Sequence, residues 1–220
     1  MFRNEYMHSV YSFKDNTIKN YLILYSILMI LCIIIRFPPL QRVLLIYNNL
    51  ILIGYMRKKF QIENKIINYV SILILVLNIL MIFYNYFNAI YLGFEDGIVH
   101  GIINGGNHSD SWQYFYESKL LYQYWKNGLF SNWIRGELPT HIHYYGFYNF
   151  FVIWNTILHI LFGSDLLVFI IFKLQFSIIS IFLLYDVAIQ YLKSRYAIIA
   201  IILMNLYPGF LTINISLLRD

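Results

Sequence analysis

Residues 66 to 92 hold 27 consecutive positions without a charged side chain, most of them Ile, Leu, Phe, Tyr and Asn. As an α-helix such a run rises roughly 40 Å, enough to cross a hydrocarbon core of about 30 Å with some tilt. A soluble core offers no burial site for so long an apolar rod. Tyr21 to Ile35 is likewise free of charge. Overall usage agrees, with 60% hydrophobic and 12% charged residues and a mean hydropathy of +0.59, outside the usual mix of soluble domains. The chain reads as an all-α polytopic membrane protein whose first partner is the lipid bilayer.

Six segments carry that reading. Residues 20 to 35 form a first span, stopped by Arg36 and the Phe37-Pro38-Pro39 break, because proline ends a helix and biases its predecessor away from helical backbone. Residues 43 to 56, with Asn48 and Asn49 at their middle, fit either a short span or a re-entrant or interfacial helix. Residues 66 to 92, 141 to 163, 166 to 192 and 196 to about 215 supply four more. The first run begins some 20 residues in and lacks a small-x-small cleavage site, so a retained anchor is expected rather than a removed leader. Cys32 sits within it, either facing lipid or packed in the core, and a single cysteine allows no intrachain disulfide.

The net charge of +5 is concentrated at the ends of apolar runs. That pattern suits topology signals and excludes a nucleic-acid footprint. Arg57, Lys58, Lys59 and Lys65 precede the clearest span, so the positive-inside bias puts that end in the cytoplasm and the long segment 93 to 140 outside. That segment carries Glu95, Asp96, Asp110, Glu117 and Glu137 against Lys119, Lys126 and Arg135, a balance that agrees with export. Simple alternation of six spans then puts Lys193 and Arg195 outside as well, against the same bias. Residues 1 to 65 form an N-terminal membrane hairpin, and 66 to 220 a second unit that includes the external loop.

Within the loop, Gly93, Gly97, Gly101, Gly105 and Gly106 favour irregular backbone up to about residue 109. Asp110 followed by Gln113 fits a capping box, and Lys126-Asn127-Gly128 a basic last turn with a glycine stop. The aromatic-rich helix between them suits the membrane interface. Asp110 can be an N-cap, a catalytic carboxylate, or both. Lys173, seven positions into a span, is either a functional cation or a side chain snorkelling to the surface. His100, His108, His141 and His143 lie in or beside the loop. With Asp110, Glu95 and Asp96 they could take a divalent metal, but no zinc-type spacing is present and no cofactor is expected. Asn78 and Asn85 share a helix face with Asn88 nearby, which suits interhelical hydrogen bonding.

The order of these features resembles the N-terminal half of the GT-C membrane glycosyltransferases. It comprises an early span, the loop helix opening Asp110-Ser111-Trp112-Gln113-Tyr114, the entry Pro139, His141, His143, Tyr144 and Tyr145, and Leu161-Phe162-Gly163-Ser164. Phe172-Lys173-Leu174-Gln175 and Leu206-Tyr207-Pro208 through Leu218-Arg219-Asp220 follow. The similarity covers roughly residues 66 to 220 and is greatest to the protein-mannosyltransferase-like branch, which uses polyprenyl-phosphate sugars. The chain departs from the pattern in lacking an acidic residue after Asp110, in its two preceding helices, and in ending where the family continues, so a partial core is expected. The resemblance implies a sugar transferred from a polyprenyl-phosphate donor to an acceptor glycan, lipid or protein at the outer face of the cell membrane. Asp110 would then be the base, with Lys119, Lys126, Arg135, Lys173 or Arg219 facing the phosphate and His108, His141 and His143 contacting substrate. Two alternatives stay open: a polysaccharide polymerase of the O-antigen type, and a transporter or non-catalytic membrane scaffold.

Overall fold

The computed structural model describes residues 16–91, 110–137 and 149–214. Within them the chain is helical: α1 (Asn16–Ile34), α2 (Pro38–Lys59), α3 (Ile66–Tyr91), α4 (Asp110–Lys126), α5 (Phe130–Ile134), α6 (Phe150–Phe162), α7 (Leu166–Ala188), α8 (Ser194–Leu206) and α9 (Pro208–Asn214). Three helices among the described residues are long and apolar enough to cross a membrane: α1, the first 23 residues of α3, and α7. Their outward faces are apolar too. On α3, Tyr69, Leu73, Val76, Leu80 and Phe87 are exposed, while Ile67, Val70, Ile74 and Ile82 are buried one turn apart on the opposite side. Exposed aliphatic stripes of this kind suit a lipid surround.

The doubtful segment 43 to 56 is part of a full helix. Pro38 and Pro39 occupy the first two positions of α2, where the missing N–H would have had no intrahelical partner. They therefore start one helix as well as stopping another. At 22 residues, α2 is about 33 Å long. Its buried stripe, Gln41, Leu45, Asn48, Asn49, Leu52, Ile53 and Met56, recurs every three or four residues and lies against α1 and α7. Asn49, which looked like a polar interruption, donates its amide to the Ile171 carbonyl of α7 at 3.2 Å. Cys32 is buried in the same seam, which selects core packing for it. Asn78 does not bridge helices as expected; its amide donates to Ile74 of its own helix at 2.8 Å.

α7 is the central helix and runs parallel to α2. Near their starts, Arg42 meets Asp165 through a two-point pair, Nε to Oδ1 at 3.2 Å and Nη2 to Oδ2 at 2.6 Å. Asp165 Oδ1 also accepts the Val168 N–H at 2.9 Å, so one carboxylate caps α7 and anchors α2. Gln41 donates to the carbonyls of Cys32 and Phe162 at 2.9 and 3.0 Å, and Arg36 to Ile160 at 3.0 Å. The α1–α2 turn, the end of α6 and the start of α7 thus share one end of the bundle, here called the proline end.

The other end is basic. Asn64 donates to Ser194 Oγ at 2.8 Å, and Tyr185 Oη lies 2.9 Å from the same hydroxyl. These bonds put Lys193 and Arg195 at the end that carries Arg57, Lys58, Lys59 and Lys65, which corrects the simple alternation. The 13 residues of α6 rise only about 20 Å, less than a hydrocarbon core of about 30 Å, and its last turn is tied to the proline end.

Three helices close with the same hydrogen-bond pattern. At the end of α4, Leu129 N–H reaches the Tyr124 carbonyl and Gly128 N–H the Trp125 carbonyl. After α5, Glu137 and Gly136 do the same to Asn132 and Trp133. After α2, Ile62 and Gln61 do so to Arg57 and Lys58. Each is a Schellman turn, which needs left-handed backbone at its closing residue. Gly128 and Gly136 provide it at φ 79° and 73°. Gln61 adopts it at φ 51° at a cost of about 1–2 kcal/mol for a residue with a Cβ.

Candidate functional site

α4 closes through Gly128, as its basic last turn and glycine stop lead one to expect, and Asp110 is its first helical residue, one position inside the cap expected from the sequence. It packs closely against α6 because both helices present small side chains where they cross. Thr156 Oγ1 donates to the carbonyls of Val152 and Ser118, and Ser118 Oγ to that of Phe115. His159 fixes the crossing. Its Nε2 lies 3.2 Å from Ser118 Oγ and its Nδ1 3.0 Å from Ser164 Oγ. Its ring stacks on Tyr122 and meets Phe115 and Phe169 edge-on or tilted. The residue is fully buried, and its two hydrogen bonds join α4, α6 and the turn into α7. Sequence reasoning passed over it because its partners lie up to 41 positions away.

Beside this crossing lies a cleft of about 310 Å³ walled by Phe150, Phe151, Trp154, Leu158, Phe169, Phe172 and Phe176, with Asn155 and Lys173 as its polar members. The aromatic walls come from α6 and α7. Lys173 Nζ donates to the Ile213 carbonyl at 3.0 Å and sits 5.9 Å from the centre of the Phe151 ring. Phe151 in turn packs edge-on against Tyr114, ring centres 4.9 Å apart. Position 110 lies one helical turn before Tyr114 and therefore on the same face of α4. Tyr114, in the second turn of α4, and Lys173 thus both meet the Phe151 ring. Asn155 Nδ2 is buried without a protein partner, a donor available to something inside the cleft.

The remaining sequence candidates divide sharply. Lys119 and Lys126 are exposed, and Arg135 is exposed and 3.6 Å from Glu137; none of the three lines the cleft. His108, His141, His143 and Arg219 lie outside the described residues, as does the side chain of Asp110. Gln175, the amide position after Lys173, faces away toward α1, where it accepts from Tyr25 Oη at 2.5 Å. Glu117 was counted only as loop charge. It is fully buried on the α4 face that carries Tyr114 and Leu121, and a carboxylate buried within an apolar bundle is a functional candidate by default. Its seven-residue spacing from Asp110 was the available signal. Among the described residues no group of three His, Cys, Asp or Glu is placed to hold a metal.

The described elements can therefore do two things chemically. An apolar group can be buried in the aromatic cleft by ring contact. An anion at its polar end meets the Lys173 ammonium in surroundings of low dielectric, where the attraction is strong. No family model, no curated protein and no solved structure matches the chain.

Proposed function

We propose that the chain is a membrane glycosyltransferase that moves a sugar from a polyprenyl-phosphate donor to an acceptor hydroxyl at the outer face of the cell membrane. The observation that carries this reading is the meeting of the Asp110 helix with Lys173 across Tyr114 and Phe151, at the rim of a cleft suited to an isoprenoid. In the reaction, the Asp110 carboxylate takes the proton of the acceptor hydroxyl and the acceptor oxygen bonds to the anomeric carbon. The bond from that carbon to the phosphate oxygen breaks, and the electron pair leaves with the phosphate, whose charge Lys173 holds. A phosphate already departs as an anion, so no general acid is required.

The orientation follows from the charges. Arg57, Lys58, Lys59, Lys65, Lys193 and Arg195 all sit at the basic end, which the positive-inside bias assigns to the cytoplasm. The proline end and the segment after α3 then face outward. In this arrangement α1, α2, α3 and α7 cross fully, α8 and α9 together make a further crossing bent at Pro208, and α6 is a half-crossing that returns to the outer side.

The test is glycan output in cells expressing Asp110→Asn and Lys173→Met. Asparagine still caps a helix, and methionine preserves the length and apolar stem of Lys173. Both variants are expected to reach normal abundance with output reduced by about 10² or more. Wild-type output from Asp110→Asn at equal abundance would remove the carboxylate from the mechanism.

A further inference from the structure

The turn after α2 keeps a glutamine where the two equivalent turns use glycine. All three have the same pair of backbone bonds, so the hydrogen-bond geometry does not ask for a side chain, and left-handed backbone disfavours one. Strain retained at an exposed position calls for a reason in what the side chain touches. Gln61 lines a polar cleft of about 300 Å³ together with Arg57, Lys58, Ile62 and Glu63. Arg57 is held in place there, its Nε donating to the Ile62 carbonyl at 3.2 Å. Lys59 and Lys65 flank the cleft in sequence, and the Asn64–Ser194 bond brings Lys193 and Arg195 to the same end. With Lys19 at the start of α1, beside the end of α2, the described residues place seven cations against the two carboxylates Glu63 and Asp186 at this end.

From this we infer that the cleft after α2 is a site for the phosphate of an anionic phospholipid headgroup, with Arg57 and Lys58 supplying charge and the Gln61 amide a directed donor. The location selects a lipid over a soluble anion. The cleft lies where α2 ends and α3 begins, at the basic end of the bundle, with the exposed aliphatic faces of α1 and α3 leading toward it; for helices that cross a bilayer this is the level of the headgroups. Basic pockets between helices at this level hold acidic headgroups by the same combination of charge and donor geometry. The site stands apart from the aromatic cleft at Lys173 and does not depend on the chemistry proposed for it.

Replacement of the strained residue separates this role from a structural one. Gln61→Gly relieves the backbone, so the folded protein gains stability, while the headgroup loses a donor. The full chain is reconstituted in nanodiscs of phosphatidylcholine alone or with phosphatidylglycerol or phosphatidylethanolamine, and the lipids retained on release are counted by native mass spectrometry. Wild type is expected to retain phosphatidylglycerol about fivefold over its share of the bilayer, and Gln61→Gly and Lys58→Gln about twofold or less. Undiminished phosphatidylglycerol retention by the stabilised Gln61→Gly protein overturns the proposal. So does equal retention of phosphatidylethanolamine, or full displacement of the lipid by inorganic phosphate at the same concentration, which would assign the cleft to a soluble ion.

Discussion

Asp165 performs two tasks with one carboxylate, and substitution can separate them. Its Oδ1 caps α7 at Val168, worth about 1 kcal/mol for an acidic cap against alanine. Both oxygens also engage Arg42, at side-chain exposures of 23% and 19% for Arg42 and Asp165. That is buried enough for loss of one partner to cost about 1–3 kcal/mol through the charge left behind. Asp165→Ala removes both and is expected to cost about 2–4 kcal/mol, whereas Asp165→Asn keeps the cap and loses only the ionic part, about 1–3 kcal/mol. Arg42→Ala combined with Asp165→Ala should then be milder than the sum of the two single changes by about 1–2 kcal/mol. The assay is thermal unfolding of the detergent-solubilised protein followed by circular dichroism, with the four corners of the cycle measured at equal protein and detergent concentration. Equal midpoints for Asp165→Asn and Asp165→Ala would show that the cap contributes nothing, and a wild-type midpoint for Asp165→Asn, or a coupling below about 0.3 kcal/mol, that the pair contributes nothing beyond the cap.

Two further outcomes test the fold. Gly128→Ala places a methyl in open space, since nothing lies within 4 Å of the added Cβ, so its expected cost of about 1 kcal/mol is purely conformational; an unchanged melting midpoint would mean the turn can close without left-handed backbone. For the arrangement of ends, a cysteine at Ser164 and one at Lys193, each introduced after Cys32→Ala, should react with an impermeant maleimide from opposite sides of the membrane. The Ser164 site is expected to label from outside and the Lys193 site from the cytoplasmic side; the reverse pattern would restore the simple alternation and dismantle the half-crossing assigned to α6.

What could be read from the sequence is local in origin. The end of α4 was legible because the Lys126-Asn127-Gly128 close acts within a turn of itself, and Lys173 was legible because a cation within an apolar run is conspicuous. The length of α2 was not. Asn48 and Asn49 look like an interruption until α7 is beside them, and Pro38-Pro39 reads equally as a stop and as a start. Arg42–Asp165, Gln41–Phe162 and His159–Ser118 join positions 123, 121 and 41 apart, so no periodicity reports them. The conflict over Lys193 and Arg195 arose from treating every apolar segment as a full crossing. The buried Glu117 shows the reverse case, in which a charge taken for solvent-facing belongs to the packed side of its helix.

The dependence of α2 on α7 sets an order of events during synthesis. Asn49 and Arg42 find their partners at Ile171 and Asp165, residues made more than a hundred positions later, when the α1–α2 hairpin has already left the ribosome. Until then the hairpin holds these polar side chains against lipid or against whatever escorts it, a state costly enough to keep it near the insertion machinery. Maturation of the N-terminal hairpin is therefore timed by the arrival of α7, and a nascent chain stalled before residue 165 presents quality-control proteases with a membrane segment whose polar seam has nothing to close it.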